Sequence, residues 1–216
     1  MLTNFTDVKS NKLIIFLTGW GCDNKQFENM FKTCKNYDIL TCWDYSDIKF
    51  EPNINFLNYD EIYLLAYSAG VFVAGLIQDN LPKITKSIAI NGNPLMFDEY
   101  FGISSDILNI FRSLNLDNFI DFRRQYLVTT EAELKFFNEH SSLRTFESCD
   151  KELDNLEKLY KEGFKPYVFD YAILGSKDKI FNPKTQIEYF KDKYVIECAH
   201  NIFYHYQTFD EILNLV

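Results

Sequence analysis

Ser68 is the residue whose surroundings point most directly to chemistry. It stands in the run Ala66-Tyr67-Ser68-Ala69-Gly70, where a buried strand is expected to turn abruptly into a helix. A serine nucleophile on such a strained turn needs small residues two positions before and after it, because the strand and helix backbones come close together. Ala66 stands where glycine is usual, which weakens the motif. The alternative interpretation is that Ser68 is an ordinary helix N-cap.

Asp178 and His200 could complete a catalytic triad with this serine. Asp178 follows the fifth predicted strand and His200 follows the sixth, which gives the chain order nucleophile, acid, histidine. Such a histidine takes the serine proton, while the acid orients the imidazole and stabilises its protonated form. Each residue also has a simpler interpretation, Asp178 as a turn residue and His200 as a buried, hydrogen-bonded imidazole. Asp170 and His205 are rivals by type, but Asp170 falls inside a strand pattern and His205 lies where the last helix should begin.

The loop after the first central strand could supply an oxyanion hole. It comprises residues 18–21, with Gly19 and Gly21 on either side of Trp20. One donor would be the N–H of Ala69, the residue after the nucleophile, and the other would be the N–H of Trp20. The alternative is that the glycines only make a tight turn between strand and helix. We favour the oxyanion hole, because the loop lies in the required order relative to Ser68.

Other chemistries find less support in the sequence. No His-Glu-x-x-His motif, paired cysteines or cluster of histidine and aspartate predicts a metal site, and no glycine-rich loop fits a phosphate or dinucleotide. Cys198 is close to His200, but a cysteine at a strand end is more typical of a buried apolar residue.

Six short apolar runs predict the strands that would position these residues: 13–17, 39–43, 61–66, 84–90, 167–174 and 194–198. Helix-like segments alternate with them at 24–35, 71–78, 181–192 and 206–216. This alternation predicts an α/β fold with a mainly parallel, doubly wound sheet. In such sheets the sites lie where strands end in loops at one edge, which would bring Ser68, Asp178 and His200 together.

The stretch 94–165 interrupts this rhythm, because its apolar residues recur near helical spacing without strand-like alternation. We interpret approximately 95–165 as a helical cap inserted into a single domain that spans 1–216. Phe111, Leu114, Phe119 and Phe122 could line a channel for a ligand, or they could pack the cap onto the sheet. The sequence leaves both possibilities open.

Composition limits the class of protein. The chain has 216 residues, of which 47% are hydrophobic, and this excludes intrinsic disorder. A net charge of -9 disfavours a nucleic-acid partner, which needs surplus lysine and arginine. Five scattered cysteines predict reduced thiols in a cytoplasmic protein, and the lack of a signal peptide or a long apolar run predicts no membrane association. The oligomeric state is not determined.

The motifs resemble those of a known family. The loop that ends at Gly21, the run 67–71 around Ser68, the loop that ends at Asp178, and His200 resemble the BioG-type pimeloyl-[acyl-carrier-protein] methyl ester esterases of biotin synthesis, which have the α/β-hydrolase fold. The resemblance covers nearly the whole chain. It is most specific at residues 18–21, since hydrolases more broadly begin this loop with His-Gly and this chain begins it with Thr18.

The resemblance implies a serine esterase without a metal or organic cofactor. Its substrate would be a pimeloyl methyl ester on acyl carrier protein, and its products free pimeloyl-carrier protein and methanol. Ser68 would be the nucleophile, His200 the general base and then acid, and Asp178 the orienting carboxylate, with Trp20 and Ala69 as oxyanion donors. The triad alone equally permits a general acyl esterase or a thioesterase. A non-catalytic, ligand-binding relative is the alternative from another class.

All four arginines lie in the proposed cap, namely Arg112, Arg123, Arg124 and Arg144. Acyl carrier proteins are acidic, so an enzyme of net charge -9 needs a local cationic surface to bind one. We hypothesise that Arg123 and Arg124, with Arg112 or Arg144, bind the carrier or its phosphopantetheine phosphate. The alternative is that these are helix-surface arginines paired with neighbouring acids such as Asp121, Glu131 or Glu147.

Overall fold

A single sheet of seven strands forms the centre of the computed structural model, which describes residues 1–216. The strands are β1 (Leu2–Thr6), β2 (Lys12–Leu17), β3 (Asp38–Trp43), β4 (Glu61–Tyr67), β5 (Lys86–Ile90), β6 (Tyr171–Gly175) and β7 (Lys193–Ile196). Their order across the sheet is β1-β3-β2-β4-β5-β6-β7. Every neighbouring pair is parallel except β1 with β3. The predicted mainly parallel sheet is therefore present.

Eight α-helices accompany the sheet: α1 (Glu28–Thr33), α2 (Ala69–Ile77), α3 (Ser105–Arg112), α4 (Phe119–Leu127), α5 (Glu131–Glu139), α6 (Phe146–Glu162), α7 (Pro183–Tyr189) and α8 (Phe209–Leu213). Four of them, α3 to α6, lie between β5 and β6 and form the inserted cap. The connection from β3 to β4 contains only a 3-10 turn at Phe56–Asn58, so the strand–helix alternation is incomplete there. None of the helices combines the length and apolar character that a membrane span requires.

Both faces of the sheet are buried, as the continuous apolar strands predict. In β2, Leu13, Ile15 and Leu17 enter a core cluster of 31 residues that also contains buried side chains of α2 and of the cap. Ile14 and Phe16 point to the opposite face, into a cluster of 19 residues that includes side chains of α1 and α8. The cap is thus part of one of the two cores.

The sequence prediction missed β1, a short edge strand with exposed apolar residues that pairs antiparallel with β3. The prediction also began β6 too early. Asp170 directly precedes this strand, and its carboxylate accepts hydrogen bonds from the N–H and Oγ of Ser87, both at 2.8 Å. At this point side-chain hydrogen bonds take the place of the backbone hydrogen bonds between strands, so regular pairing of β6 with β5 starts at Tyr171.

Helix ends differ from the predicted ones by a few residues, and capping explains two of the later starts. The Asn182 side chain accepts from the Lys184 N–H and precedes Pro183, which fixes the first turn of α7. Thr208 forms a reciprocal capping box with Glu211 at the start of α8. Apolar periodicity alone does not locate these boundaries.

Candidate active site

The central strands end in register at one edge of the sheet. Leu17 at the end of β2 pairs with Ala66 of β4, and Tyr67, the last residue of β4, pairs with Ile90, the last residue of β5. The chain reverses its direction across the sheet between β2 and β4, where open α/β sheets bind ligands. The loop 18–21 and Ser68 therefore leave adjacent strands at this switch point.

Ser68 has the strained backbone that the motif predicts. It stands between β4 and α2 with φ of 53° and ψ of -119°, a positive φ for a residue with a side chain. The turn also brings α2 close to β2, since a Cβ on Gly70 would lie 2.4 Å from the Leu17 carbonyl oxygen. Ala66, by contrast, is fully buried in the sheet, where its methyl group is accommodated. The glycine requirement after the serine is thus strict, and the one before it is relaxed.

Ser68, His200 and Asp178 are joined by hydrogen bonds. Ser68 Oγ lies 2.9 Å from His200 Nε2, and His200 Nδ1 lies 2.8 Å from Asp178 Oδ2. The other carboxylate oxygen of Asp178 accepts the N–H groups of Ile180 at 2.7 Å and Phe181 at 3.1 Å. All three side chains of the triad are buried. This arrangement can deprotonate a serine hydroxyl when it attacks a carbonyl carbon.

Asn91 is a residue of this site that the sequence reasoning missed. It follows β5 with φ of 42°, and its amide nitrogen donates to the carbonyls of Ala199 at 3.2 Å and His200 at 2.6 Å. Its side-chain oxygen accepts the N–H of Gly175 at 2.6 Å. Asn91 therefore ties the loop of the histidine to the end of β6. An asparagine directly after a central strand was the available signal, because asparagine tolerates the left-handed region.

The loop that contains Trp20 and the start of α2, which hold the two predicted oxyanion donors, both adjoin the serine. The backbone of Gly19 adjoins Ser68, since a Cβ built on Gly19 would lie 3.1 Å from Ser68 Cβ. Ala69 is the first residue of α2, and the first N–H groups of a helix have no partner within the helix. Trp20 has a further role that was not predicted, because its indole Nε1 donates to the Cys149 carbonyl of α6 at 2.6 Å.

A buried carboxylate of the cap also binds the loop 18–21, called the oxyanion loop below after its predicted role. Glu152 of α6 has 0% exposure and accepts the N–H of Gly21 at 3.0 Å and the N–H of Tyr45 at 3.1 Å. Arg144 donates to the same carboxylate and forms an ion pair with Asp44, whose Oδ1 lies 3.0 Å from the guanidinium. Burial raises the pKa of Glu152, while Arg144 and the two N–H donors oppose this shift. The sequence reasoning missed Glu152, because nothing in its local pattern distinguishes it from a surface glutamate.

A pocket opens beside Ser68 between the core and the cap. Seventeen residues line it, ten of them hydrophobic, and they include Trp20, Phe111, Phe119 and Phe122. The indole of Trp20 stacks on Phe111 with the ring centroids 5.0 Å apart. Leu114 is buried but belongs to the packing of the cap rather than to this lining. Three of the four residues left open above therefore line the pocket.

The four arginines have different environments and do not form one cluster. Arg112 and Arg124 are exposed and pair with Glu157 at 2.8 Å and Asp121 at 3.4 Å. The side chain of Arg144 is only 7% exposed and is bound to Glu152 and Asp44, so a carrier surface cannot reach it. Arg123 is 5% exposed and lines the pocket. This burial argues against the predicted binding of the carrier or its phosphopantetheine phosphate by Arg144, and it limits Arg123 to groups that enter the pocket.

The rival residues lie elsewhere. Asp170 precedes β6 at the opposite edge of the sheet and bonds Ser87. His205 Nε2 lies 3.0 Å from Glu133 of the cap. Burial raises the pKa of Cys198 and of the pocket-lining Cys22 to about 12, so both remain thiols at neutral pH. These thiols are therefore poor nucleophiles.

Comparison with known proteins agrees with the geometry. The model of a family described as pimeloyl-ACP methyl esterase BioG matches residues 1–212. A Bacteroides fragilis protein named malonyl-[acyl-carrier protein] O-methyltransferase is 34% identical over 178 residues, which cover 80% of this chain and 35% of that protein. The chain thus spans about a third of the length of this curated relative.

Two solved structures share the fold. The crystal structure of BioG from Haemophilus influenzae superposes with a TM-score of 0.85 at 25% identity, and the match covers 98% of this chain and 99% of that one. A lipase-esterase related protein from Clostridium acetobutylicum gives a TM-score of 0.67 at 16% identity, with 100% of both chains covered.

Proposed function

Since this chain belongs to the pimeloyl-ACP methyl esterase BioG family, we propose that it is a serine esterase that hydrolyses the methyl ester of pimeloyl-[acyl-carrier protein] in biotin synthesis. Its fold is the predicted α/β-hydrolase fold with a helical cap. The observation that carries the proposal is the hydrogen-bonded series from Ser68 through His200 to Asp178 beside an apolar pocket. The reaction needs no metal or organic cofactor.

The mechanism follows from these contacts. The Nδ1–H group of His200 stays hydrogen-bonded to Asp178, while Nε2 accepts the Ser68 proton and Oγ attacks the ester carbonyl carbon. The N–H groups of Trp20 and Ala69 stabilise the oxyanion. His200 then returns the proton to the methoxy oxygen, and methanol leaves. A water molecule attacks the acyl-enzyme by the same steps, which frees the carboxylic acid and regenerates Ser68.

The substrate assignment is supported by the family and by the pocket. The family description names a pimeloyl chain on acyl carrier protein. The name of the Bacteroides fragilis relative also combines an acyl carrier protein with a methyl group. A lining that is mostly hydrophobic fits a chain of methylene groups. Five buried free cysteines are in keeping with a reducing, cytoplasmic compartment.

Arg112 and Arg124 are the cap arginines that a docked carrier can reach. Guanidinium groups suit the acidic residues of the carrier and its phosphopantetheine phosphate. Reversing both to glutamate should lower kcat/KM for the carrier-bound ester and leave a small methyl ester unaffected. Equal turnover of the carrier-bound ester by this variant and the unmodified protein would remove these two residues from the proposal.

Fluorophosphonate labelling tests the serine mechanism. We expect covalent labelling of Ser68 that disappears in Ser68→Ala and persists in Ser113→Ala, a matched change at an exposed serine of the cap. If the unmodified protein is not labelled, the non-catalytic, ligand-binding alternative is favoured instead.

The bond that is cut is tested with two carrier-bound substrates, pimeloyl-carrier methyl ester and a pimeloyl thioester without the methyl group. Release of methanol with the thioester intact supports the proposal. Release of free carrier from either substrate would instead favour a thioesterase. Restored growth without biotin in cells that lack their own methyl esterase would place the reaction in biotin synthesis.

A further inference from the structure

Arg123 differs from the other arginines in having no partner of opposite charge. It lies on α4 with 5% exposure, and its guanidinium carbon is 5.7 Å from the ring centroids of both Phe119 and Phe137. The side chain makes no hydrogen bond and has no carboxylate within 4 Å, whereas each of the other three arginines forms an ion pair. Arg123 also lines the pocket that contains Ser68.

The guanidinium nitrogens of Arg123 are not among the fully buried polar atoms, so they keep some solvent access. A ligand that fills the pocket would displace this water, and the charge would then need a new partner. The two phenylalanine rings provide cation–π attraction, but they offer no acceptors for the five N–H groups of a guanidinium. Gln26 lines the same pocket and has a buried side-chain oxygen without a donor. No bond joins Gln26 to Arg123, so the arginine remains available to a ligand.

The position of the proposed oxyanion donors indicates which part of a ligand Arg123 would meet. At the reacting end, the proposed donors Trp20 N–H and Ala69 N–H bind the ester carbonyl oxygen. A donor elsewhere in the same pocket suits a different oxygen of the same chain. Simple fatty acyl esters carry no second oxygen, whereas half esters of dicarboxylic acids do.

We propose that Arg123 determines specificity by binding a second oxygen acceptor, a carboxylate or a carbonyl, several carbons away from the ester that Ser68 attacks. The ligand class is the half ester of a dicarboxylic acid, either as a free acid or joined through its other carboxyl group to a carrier. This inference rests on the proposed esterase function and adds to it the group that the pocket selects.

The test uses two methyl esters of equal chain length. Monomethyl pimelate carries a carboxylate at its far end, and methyl heptanoate ends in a methyl group. We expect the unmodified protein to hydrolyse monomethyl pimelate with a kcat/KM about 10- to 100-fold higher, the range expected for a hydrogen bond to a charged group. Dimethyl pimelate, with a neutral carbonyl at the far end, should fall between them.

Arg123→Met should abolish this preference. The ratio of its kcat/KM for monomethyl pimelate to its kcat/KM for methyl heptanoate should fall to about one. Arg123→Lys should retain part of the preference, because it keeps the charge. Lys135→Met is the matched control, since this cation of the cap is exposed and lies outside the pocket, and it should keep the full preference.

An unmodified protein without the preference, or an Arg123→Met variant that keeps it, overturns the inference while the esterase function stands. If neither ester is hydrolysed, the esterase function fails, and protection of Ser68 from fluorophosphonate still tests Arg123. Stronger protection by monomethyl pimelate than by methyl heptanoate, lost in Arg123→Met, supports the inference, and equal protection contradicts it.

The Arg123→Met variant should unfold at an unchanged or higher temperature. If Arg123 had a structural role instead, its removal would lower the unfolding temperature.

Discussion

The cap contains two buried arginines in opposite situations. At the α6 side, Arg144 forms ion pairs with Glu152 and Asp44, and Glu152 accepts the N–H of Gly21 in the loop 18–21. At the α4 side, Arg123 has similar burial but lies among aromatic rings and faces the pocket. Arg144 is paired with carboxylates of the protein, whereas Arg123 has no partner of opposite charge.

The difference indicates that Arg144 stabilises the folded protein, whereas Arg123 is available to bind a ligand. A charge whose partners come from the cap, the oxyanion loop and the segment after β3 fixes these parts relative to one another. A charge without such partners does not join these segments, and we infer above that Arg123 instead binds a ligand. The α6 side of the cap is thus bonded to the loop 18–21, and the α4 side lines the pocket beside Ser68.

The comparison predicts its largest effect at Arg144. Arg144→Met leaves the carboxylate of Glu152 buried and without its cation, and breaking a buried pair in this way typically costs about 3–5 kcal/mol. We expect a loss of this size in the free energy of unfolding, measured by urea titration. Arg112→Met breaks an exposed pair and should cost at most about 1 kcal/mol. Similar losses in the two variants would contradict the structural role of Arg144.

The next effect is expected in catalysis at Glu152. Glu152→Gln keeps the shape but leaves either the Gly21 or the Tyr45 N–H without an acceptor, so the oxyanion loop shifts. We expect kcat to fall about 10- to 100-fold, less than or comparable to the loss of one oxyanion donor, with KM changed less than about twofold. Glu157→Gln, on the same helix but paired with the exposed Arg112, should leave kcat unchanged. A parallel change in kcat and KM would indicate disturbed substrate binding instead.

A smaller, pH-dependent effect is expected at Glu133, which links α5 to the segment after His200 through His205. Although burial opposes it, hydrogen bonds from Thr129, His205 and Thr130 together lower the pKa of Glu133 from its usual 4.5. A lowered pKa stabilises the folded state above the usual value, and this contribution disappears as the pH falls through the folded value. The difference in unfolding free energy between the protein and Glu133→Gln should therefore be larger at pH 6 than at pH 3. A difference that is constant with pH would show that this carboxylate is not stabilised by folding.

The smallest effect on stability is expected at Arg123. Arg123→Met breaks no ion pair, so it should change the free energy of unfolding by less than about 1 kcal/mol or increase it. Urea titration beside Arg144→Met measures the contrast directly. A loss near that of Arg144→Met would erase the distinction between the two sides of the cap.

Sequence reasoning succeeded where local pattern and physics coincide. Continuous apolar runs predicted the six parallel strands, and the small residues around Ser68 predicted the turn that the structure contains at φ of 53°. The family prediction is confirmed by the match over residues 1–212. The edge strand β1 was missed because half-exposed strands lack a continuous apolar run. The predicted start of β6 was too early because Asp170, just before the strand, bonds to Ser87 of β5 through its side chain, a contact between distant segments that local pattern does not show.

The sequence by itself determined the fold class, the family and the order of serine, aspartate and histidine, because each depends on residues that are adjacent in the chain or follow one another along it. Only the tertiary structure decided what surrounds them. Arg123 and Arg144 have the same chemistry and lie on the same cap, yet one pairs with Glu152 and the other faces the pocket. Burial and partners are set by the packing of distant segments, so the role of each charge emerges only when the cap closes over the sheet.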